Sequence, residues 1–194
     1  MREVRAGRRG PAGVLVPPLS LRGHGLVLRE WRRDDTAVMR ELFGDPDLAA
    51  AMNLPVPFDA AAFIAAIPDA RRAGHHHLAI TEGTDVPLGL FFLWPGRGVL
   101  GYGVGAAHRG RRLAVRALRL ATVFCHRELG VEELLLPIFP DNLPSRAVAV
   151  GAGYERNGGS VDVTAPGGGG RGRADTWVHR AGWPVPSGGP SHRG

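Results

Sequence analysis

Runs of alternating or continuous apolar residues divide the central part of the chain into short strands and longer helices. The alternation in LVLREW predicts a strand over 26–31, and either Asp34 or Asp35 can cap the helix that the following apolar spacing predicts. Further strands are predicted at 76–81, 88–94, 99–105, 132–139, 154–163 and 175–180. Further helices are predicted at 59–74, at 112–129 and from Pro144 to Ala152.

Three features within this pattern predict how the elements connect. The PGRG turn at 95–98 predicts that the strands on either side of it form a hairpin. The helix at 112–129 lies between two strands, and such a crossover predicts a parallel pair within the sheet. Pro68 is expected to interrupt or bend the helix at 59–74. The predicted fold is α/β, a single domain with a mixed, mostly antiparallel sheet flanked by about four helices.

The ends of the chain differ from its centre in composition. A length of 194 residues accommodates one domain with a sizeable core. Residues 1–20 and 182–194 are rich in Arg, Gly and Pro or Ser, and we expect them to be a disordered basic leader and a disordered tail around a domain at 21–181. TAPGGGGRGRAD (164–175) is expected to be a flexible loop.

The positive charge is concentrated in one place within the body of the chain. All 24 basic residues are arginines, and the formal net charge is +6. Residues 21–154 carry 15 arginines against 14 acidic residues, so most of the excess lies in the two ends. Within the body, five arginines cluster at positions 109, 111, 112, 116 and 119. This focused cluster argues against a nucleic-acid-binding stripe, although the basic leader could touch an acidic partner such as ribosomal RNA.

Several other function classes find no support in the sequence. No apolar run approaches the roughly 20 residues that span a bilayer, and the N-terminus has no convincing signal peptide. The single Cys125 excludes an intrachain disulfide and is expected to be a buried thiol, so a cytoplasmic location is predicted. In the HHH run at 75–77, strand alternation would send His76 away from its neighbours, and we predict no metal site.

Two segments carry the candidate chemistry. LGYGVGAAHRGRRLAVRAL, starting at Leu100, places three arginines around a glycine just where a helix begins, and the unpaired amides and positive dipole end of a helix favour a phosphate there. FPDNLPSRAVAVGAGYER follows the next strand, with Asp141 or Asn142 able to cap a helix and Ser145 in its first turn. Two helix N-termini that open toward one sheet edge predict a cleft for an extended phosphorylated ligand.

These two segments resemble the GNAT acyltransferase superfamily, and the match is closest to its ribosomal-protein N-acetyltransferase (RimJ/RimL-like) branch. The resemblance covers roughly residues 20–180 and implies that acyl-CoA is the phosphorylated ligand. It also implies that the amides of the first segment hold the pyrophosphate, that the strand edge near Val104 pairs with the pantetheine, and that Asn142 contacts the CoA chain. The implied CoA-binding residues are Val104, Gly105, Ala106, Arg109, Gly110, Arg111, Arg112, Leu113, Ala114, Asn142 and Ser145.

The chain departs from the family pattern at positions that matter for catalysis. Arg112 stands where the second motif glycine is usual, and Ala149 stands where other branches place a proton-donating tyrosine. The resemblance then leaves Ser145 or a water as the acid. No base is evident, and the polar candidates are Glu30, Glu82 and His108. Trp94 and Tyr102 flank the hairpin, and they are predicted either to border the acceptor pocket or to pack in the core or at the sheet edge.

The function implied is transfer of an acetyl group from acetyl-CoA to a primary amine by direct attack in a ternary complex. The acceptor is open between a protein N-terminus and a small metabolite or antibiotic, and a longer acyl donor such as succinyl is open too. A CoA-binding module without catalysis and an RNA-binding protein are the alternatives of other classes. An exposed sheet edge or helix face leaves a homodimer open.

Overall fold

One eight-stranded sheet forms the centre of the computed structural model, which describes residues 17–44, 48, 54, 57–164 and 171–186. The strands lie in the order β1-β2-β3-β4-β5-β6-β8-β7, and every neighbouring pair is antiparallel except β5 with β6. The parallel pair predicted around the crossover helix is therefore confirmed. The strands are β1 (Ser20–Gly23), β2 (Leu26–Glu30), β3 (His76–Thr81), β4 (Pro87–Trp94), β5 (Val99–Val104), β6 (Glu133–Ile138), β7 (Glu155–Thr164) and β8 (Arg171–Arg180).

Two pairs of helices cover the two faces of the sheet and create two cores. The helices of the described part of the chain are α1 (Thr36–Phe43), α2 (Ala60–Arg72), α3 (Leu113–Arg127) and α4 (Leu143–Gly151). Residues of α3 and α4 pack with one face of the sheet into the larger core, which includes the fully buried Phe91 and Leu118. Residues of α1 and α2 pack with the other face, around Met39 and Leu90. This arrangement, with a helix layer on each face of a mixed sheet, is the predicted α/β fold.

The structure differs from the predicted elements in three places. Pro68 lies on the exposed side of α2, and the helix runs through it from Ala60 to Arg72, so the predicted interruption does not occur. Strands β7 and β8 extend into the segment predicted as a loop at 164–175, because they pair up to Thr164 and Arg171. The strand β1 was not predicted, and it begins at Ser20, inside the predicted leader.

The chain ends are described only in part. Residues 1–16 of the predicted leader, 187–194 of the predicted tail and 165–170 of the predicted loop lie outside the described residues. Trp183, in the predicted tail, packs edge-on against His179 of β8, with ring centroids 5.9 Å apart. No described helix is both long enough and apolar enough to cross a membrane. Cys125 is fully buried as a free thiol, and its burial raises its pKa to about 12.

Candidate active site

The parallel strands β5 and β6 separate soon after they meet, and this separation opens a cleft. Their register pairs only Val99 with Leu135, where the Leu135 N–H donates to the Gly98 carbonyl over 2.7 Å. Gly98 has a φ of +63°, and a Cβ there would overlap the Glu133 carbonyl oxygen. A glycine therefore makes the apex of the cleft possible, because it satisfies both the left-handed backbone and the close approach to β6.

The open edge of β5, which faces away from β4, presents peptide groups to the cleft, although Arg109 Nε already donates to the Val104 carbonyl over 3.4 Å. The Gly105 N–H donates to the Leu88 carbonyl of β4 over 3.1 Å, so the peptide groups of Gly105 point toward β4. In an antiparallel pair the peptide groups of successive residues point to opposite edges, so those of Tyr102 and Val104 point away from β4. They can pair with an extended ligand that carries amide groups, as an added strand would.

A cavity of about 750 Å³ occupies the space between this edge, the start of α3 and the start of α4. Its volume falls within the range of small-molecule sites. Its lining brings together both segments singled out in the sequence. The lining residues are Leu48, Tyr102, Gly103, Val104, His108, Arg109, Gly110, Arg112, Leu113, Ala114, Val115, Phe139, Asp141, Asn142, Pro144, Ser145 and Val148.

The turn before α3 exposes the first backbone amides of that helix to the cavity. Gly110 has a φ of +81° with no atom within 4 Å of the position that a Cβ would take, and Arg112 has a φ of +55°. No side chain of the described residues caps the helix at Arg112. The four leading amides of a helix have no intrahelical partner, and the dipole end adds positive charge. This place is suited to an anion such as a phosphate.

Most arginines of the cluster have intramolecular roles. Glu82, in the loop after β3, pairs with Arg111 and with Arg116, whose Nη1 lies 2.5 Å from the carboxylate. Hydrogen bonds from Arg116 and then Arg111 hold the pKa of Glu82 below its usual range. Arg119 donates to the Gly151 carbonyl at the end of α4 over 2.7 Å. A cluster with these internal partners is a poor candidate for an RNA-binding surface.

The first turn of α4 forms the opposite wall of the cavity. The Asn142 side chain accepts a hydrogen bond from the Ser145 N–H over 3.0 Å, so Asn142 rather than Asp141 is the side chain that caps this helix. The Tyr102 hydroxyl, from β5 across the cleft, donates to the Ser145 carbonyl over 3.1 Å. Ser145 is thus held at both its N–H and its C=O, and it is one of the residues that line the cavity.

The family model of the acetyltransferase (GNAT) domain matches residues 25–155. The chain belongs to this family. Membership identifies it as an acetyl-CoA-dependent N-acetyltransferase and confirms the family resemblance predicted from the two segments. No curated protein matches the chain significantly.

Solved structures of acetyltransferases share the fold at low sequence identity. RimJ of Mycobacterium smegmatis, in complex with CoA-disulfide, is 17% identical with a TM-score of 0.67 over 84% of this chain and 87% of its own. RimL, a ribosomal L7/L12 alpha-N-protein acetyltransferase, is 14% identical with a TM-score of 0.68, over 86% and 99%. The microcin C7 self immunity acetyltransferase MccE, in complex with acetyl-CoA and AMP, is 16% identical with a TM-score of 0.66, over 81% and 93%.

The GNAT cleft gathers most of the predicted CoA-binding residues but not all of them. Gly105, Ala106 and Arg111 do not line the cavity, whereas the other predicted CoA-binding residues do. A Cβ on Gly105 would overlap Leu42, so this glycine lets α1 approach the end of β5. Of the two predicted acceptor-pocket residues, Tyr102 lines the cavity and Trp94 does not. Trp94 packs against Phe92 on the face that α1 and α2 cover.

The three candidate bases have different surroundings in this GNAT domain. His108 is half-buried and lines the cavity. Glu30 lies outside the cavity lining and pairs with Arg71, and its burial raises its pKa. Glu82 is engaged by two guanidinium groups, as described above. Sequence reasoning missed the contact between Tyr102 and Ser145, because no local pattern links residues 43 positions apart.

Proposed function

We propose that this chain transfers an acetyl group from acetyl-CoA to a primary amine within the cleft between β5 and β6. The observation that carries the proposal is a single cavity that joins an open strand edge to the N-termini of α3 and α4. The edge suits the amide groups of a pantetheine, and the exposed helix amides suit a pyrophosphate. The residues present therefore fit acyl-CoA in both shape and charge.

The binding roles follow from these positions. The amides from Arg109 to Ala114 would hold the pyrophosphate, and the peptide groups near Val104 would hold the pantetheine. Asn142 uses its side-chain oxygen to cap α4, which leaves its amide NH₂ to contact the CoA chain. Arg112 lines the cavity with an exposed guanidinium and makes no ion pair with the described part of the chain, so it can add a charge-assisted contact to a phosphate.

The chemistry that acetyl-CoA supplies is an acyl carbon in a thioester, which a neutral amine can attack. Ser145 gives its hydroxyl proton to the sulfur as the C–S bond breaks and the C–N bond forms, and it regains a proton through water from the amine nitrogen. The Val104 N–H points into the cleft and can stabilise negative charge on the acyl oxygen. His108 is the candidate base that lines the cavity, and it would relay this one proton from the amine nitrogen toward the serine, directly or through water.

The acceptor is a primary amine on a protein N-terminus or on a small molecule. RimL supports the first class, since it is an alpha-N-protein acetyltransferase. A cytoplasmic location is consistent with the single cysteine, which is free and buried. Thiol release from acetyl-CoA in the presence of N-terminal peptides and of small primary amines would separate the two classes.

The direct test of the anion site is isothermal titration of acetyl-CoA into the wild type, Gly110→Asp and Gly110→Asn. Asn and Asp have the same shape and tolerate the left-handed backbone of Gly110 similarly, so the pair isolates the charge. A carboxylate about 5 Å from a phosphate costs about 1–2 kcal/mol at an intermediate dielectric, which predicts about tenfold weaker binding for Gly110→Asp than for Gly110→Asn. Equal affinities for the two variants would place the phosphates elsewhere.

A further inference from the structure

The chain contains two tyrosines, and one of them crosses the cleft. Tyr102 lies on β5, and its hydroxyl donates to the carbonyl of Ser145 in the first turn of α4 over 3.1 Å. Among the described residues, this is the side-chain hydrogen bond that joins β5 to α4. It lies beyond the apex, where β5 and β6 no longer pair with each other.

The chemistry of the two groups sets the direction of this hydrogen bond, from the Tyr102 hydroxyl to the Ser145 carbonyl. Burial raises the pKa of Tyr102, so its phenol stays protonated and acts as the donor. A carbonyl oxygen has two lone pairs, so Ser145 can accept from Tyr102 and also from the helix ladder of α4. Because the phenolic hydrogen points at that carbonyl, it is not directed toward a group in the cavity. Tyr102 is therefore poorly placed to be a proton donor itself.

The backbone of Ser145 is consequently fixed from two sides. Asn142 accepts from its N–H within α4, and Tyr102 donates to its C=O from the opposite wall. The Asn142 contact holds the residue relative to its own helix. The Tyr102 contact is different, because it holds the residue relative to β5, the strand whose edge is open to the ligand.

We propose that Tyr102 is a positioning residue, which acts through Ser145 by fixing the serine hydroxyl relative to the open edge of β5. The inference rests on the proposed function, in which Ser145 protonates the departing sulfur. It assigns Tyr102 a different part from the acceptor-pocket contact predicted from the sequence. Loss of the Tyr102 hydroxyl would leave the open edge of β5 in place, but the Ser145 hydroxyl, which is the proposed acid, would be held less firmly.

The test is a double-mutant cycle on kcat with Tyr102→Phe, Ser145→Ala and the combined variant. We expect Ser145→Ala to lower kcat by about 100-fold, the lower end for a general acid. Tyr102→Phe should lower kcat by about tenfold with the KM for acetyl-CoA within about twofold. In the Ser145→Ala background, Tyr102→Phe should leave kcat nearly unchanged, because there is no serine hydroxyl left to position.

The second tyrosine provides a matched control. The Tyr154 hydroxyl bonds Thr122 in the core over 2.8 Å and does not line the cavity. Tyr154→Phe removes the same atom from the same residue type, so it should lower thermal stability and leave kcat unchanged. A tenfold loss of kcat from Tyr102→Phe in both the serine and alanine backgrounds would overturn the inference, as would an unchanged kcat in Tyr102→Phe or in Ser145→Ala.

Hydrogen exchange gives a readout that needs no turnover. In Tyr102→Phe, the backbone amides in the first turn of α4 should exchange several-fold faster than in the wild type, while Tyr154→Phe should leave them unchanged. Unchanged exchange in Tyr102→Phe would overturn the fixing of Ser145. If the wild type released no thiol with any amine yet showed this difference in exchange, the proposed function would fail while the structural contact stood.

Discussion

The close approach of β5 and β6 at Gly98, the apex of the cleft, can be tested directly, because a single methyl group added at Gly98 should push the two strands apart. Gly98 is buried, has a φ of +63°, and has no room for a Cβ, which would overlap the Glu133 carbonyl oxygen. Its own carbonyl accepts the Leu135 N–H over 2.7 Å, at the place where β5 and β6 meet. In Gly98→Ala, either β6 shifts away or this bond is strained.

The expected cost can be assembled from separate contributions. An alanine in the left-handed region costs about 1–2 kcal/mol. Displacing the Glu133 carbonyl and weakening the Leu135 bond costs about 1 kcal/mol more. The smaller conformational freedom of the unfolded alanine chain returns less than about 1 kcal/mol. The net destabilisation is about 2 kcal/mol, which corresponds to a fall in Tm of about 4–8 °C for a chain of this size.

Two other glycines separate these contributions in thermal denaturation. Gly130, with a φ of +66° and nothing within 4 Å, should show only the backbone strain, about 1 kcal/mol in Gly130→Ala. Gly96, in the same turn as Gly98, has neither a positive φ nor a near neighbour, so Gly96→Ala should change stability by less than about 0.5 kcal/mol. Equal Tm values for Gly98→Ala and Gly130→Ala would refute the steric part of the reasoning.

Two further predictions concern groups outside the cleft. Asp35→Ala should cost about 2 kcal/mol in chemical denaturation, because Arg29, which is 5% exposed, loses a bidentate partner and keeps only Asp85 as a carboxylate partner. Asp69→Ala removes an exposed pair with Arg72 and should cost less than about 1 kcal/mol, so equal losses in the two variants would contradict this reasoning. Burial among aromatic rings lowers the pKa of His77 to about 4. As the pH falls below about 6.5, the His77 imidazole therefore becomes protonated in the unfolded chain while it stays neutral in the folded chain. The wild type should therefore lose about 2 kcal/mol more stability than His77→Phe between pH 7.5 and pH 5, and parallel stability curves would show that His77 is not the cause.

The elements with a strong hydrophobic period could be predicted from the sequence, whereas weak or context-dependent ones could not. The hairpin of β4 and β5 and the helix α3 lie close to their predicted bounds, because the PGRG turn and the apolar stripe are local signals. The strand β1 has four residues and owes its existence to pairing with β2, which local sequence does not encode. Pro68 in α2 shows the reverse, since tertiary packing of Ile64 and Ile67 overrides an unfavourable local residue.

The candidate site follows the same division. Its two segments were evident because glycines, arginines and a capping sequence stand at fixed offsets within each one. The pairing of Glu82 with two of the arginines was not evident, because the carboxylate lies 29 positions from Arg111 in the sequence. The charge cluster alone therefore overstated the number of cations that face the cavity.

The cleft is built mainly from backbone, so its shape depends little on the side chains around it. Its apex depends on the left-handed Gly98, its proposed binding edge on the peptide groups of Tyr102 and Val104, and its proposed anion site on the first amides of α3. None of these requires a specific functional group on a side chain. Solved acetyltransferase structures that share 14–17% identity with this chain have the same fold, with TM-scores of 0.66–0.68. Side chains matter where the chemistry needs a mobile proton in a fixed place, which is the part proposed for Ser145 and for Tyr102, the tyrosine that holds its backbone.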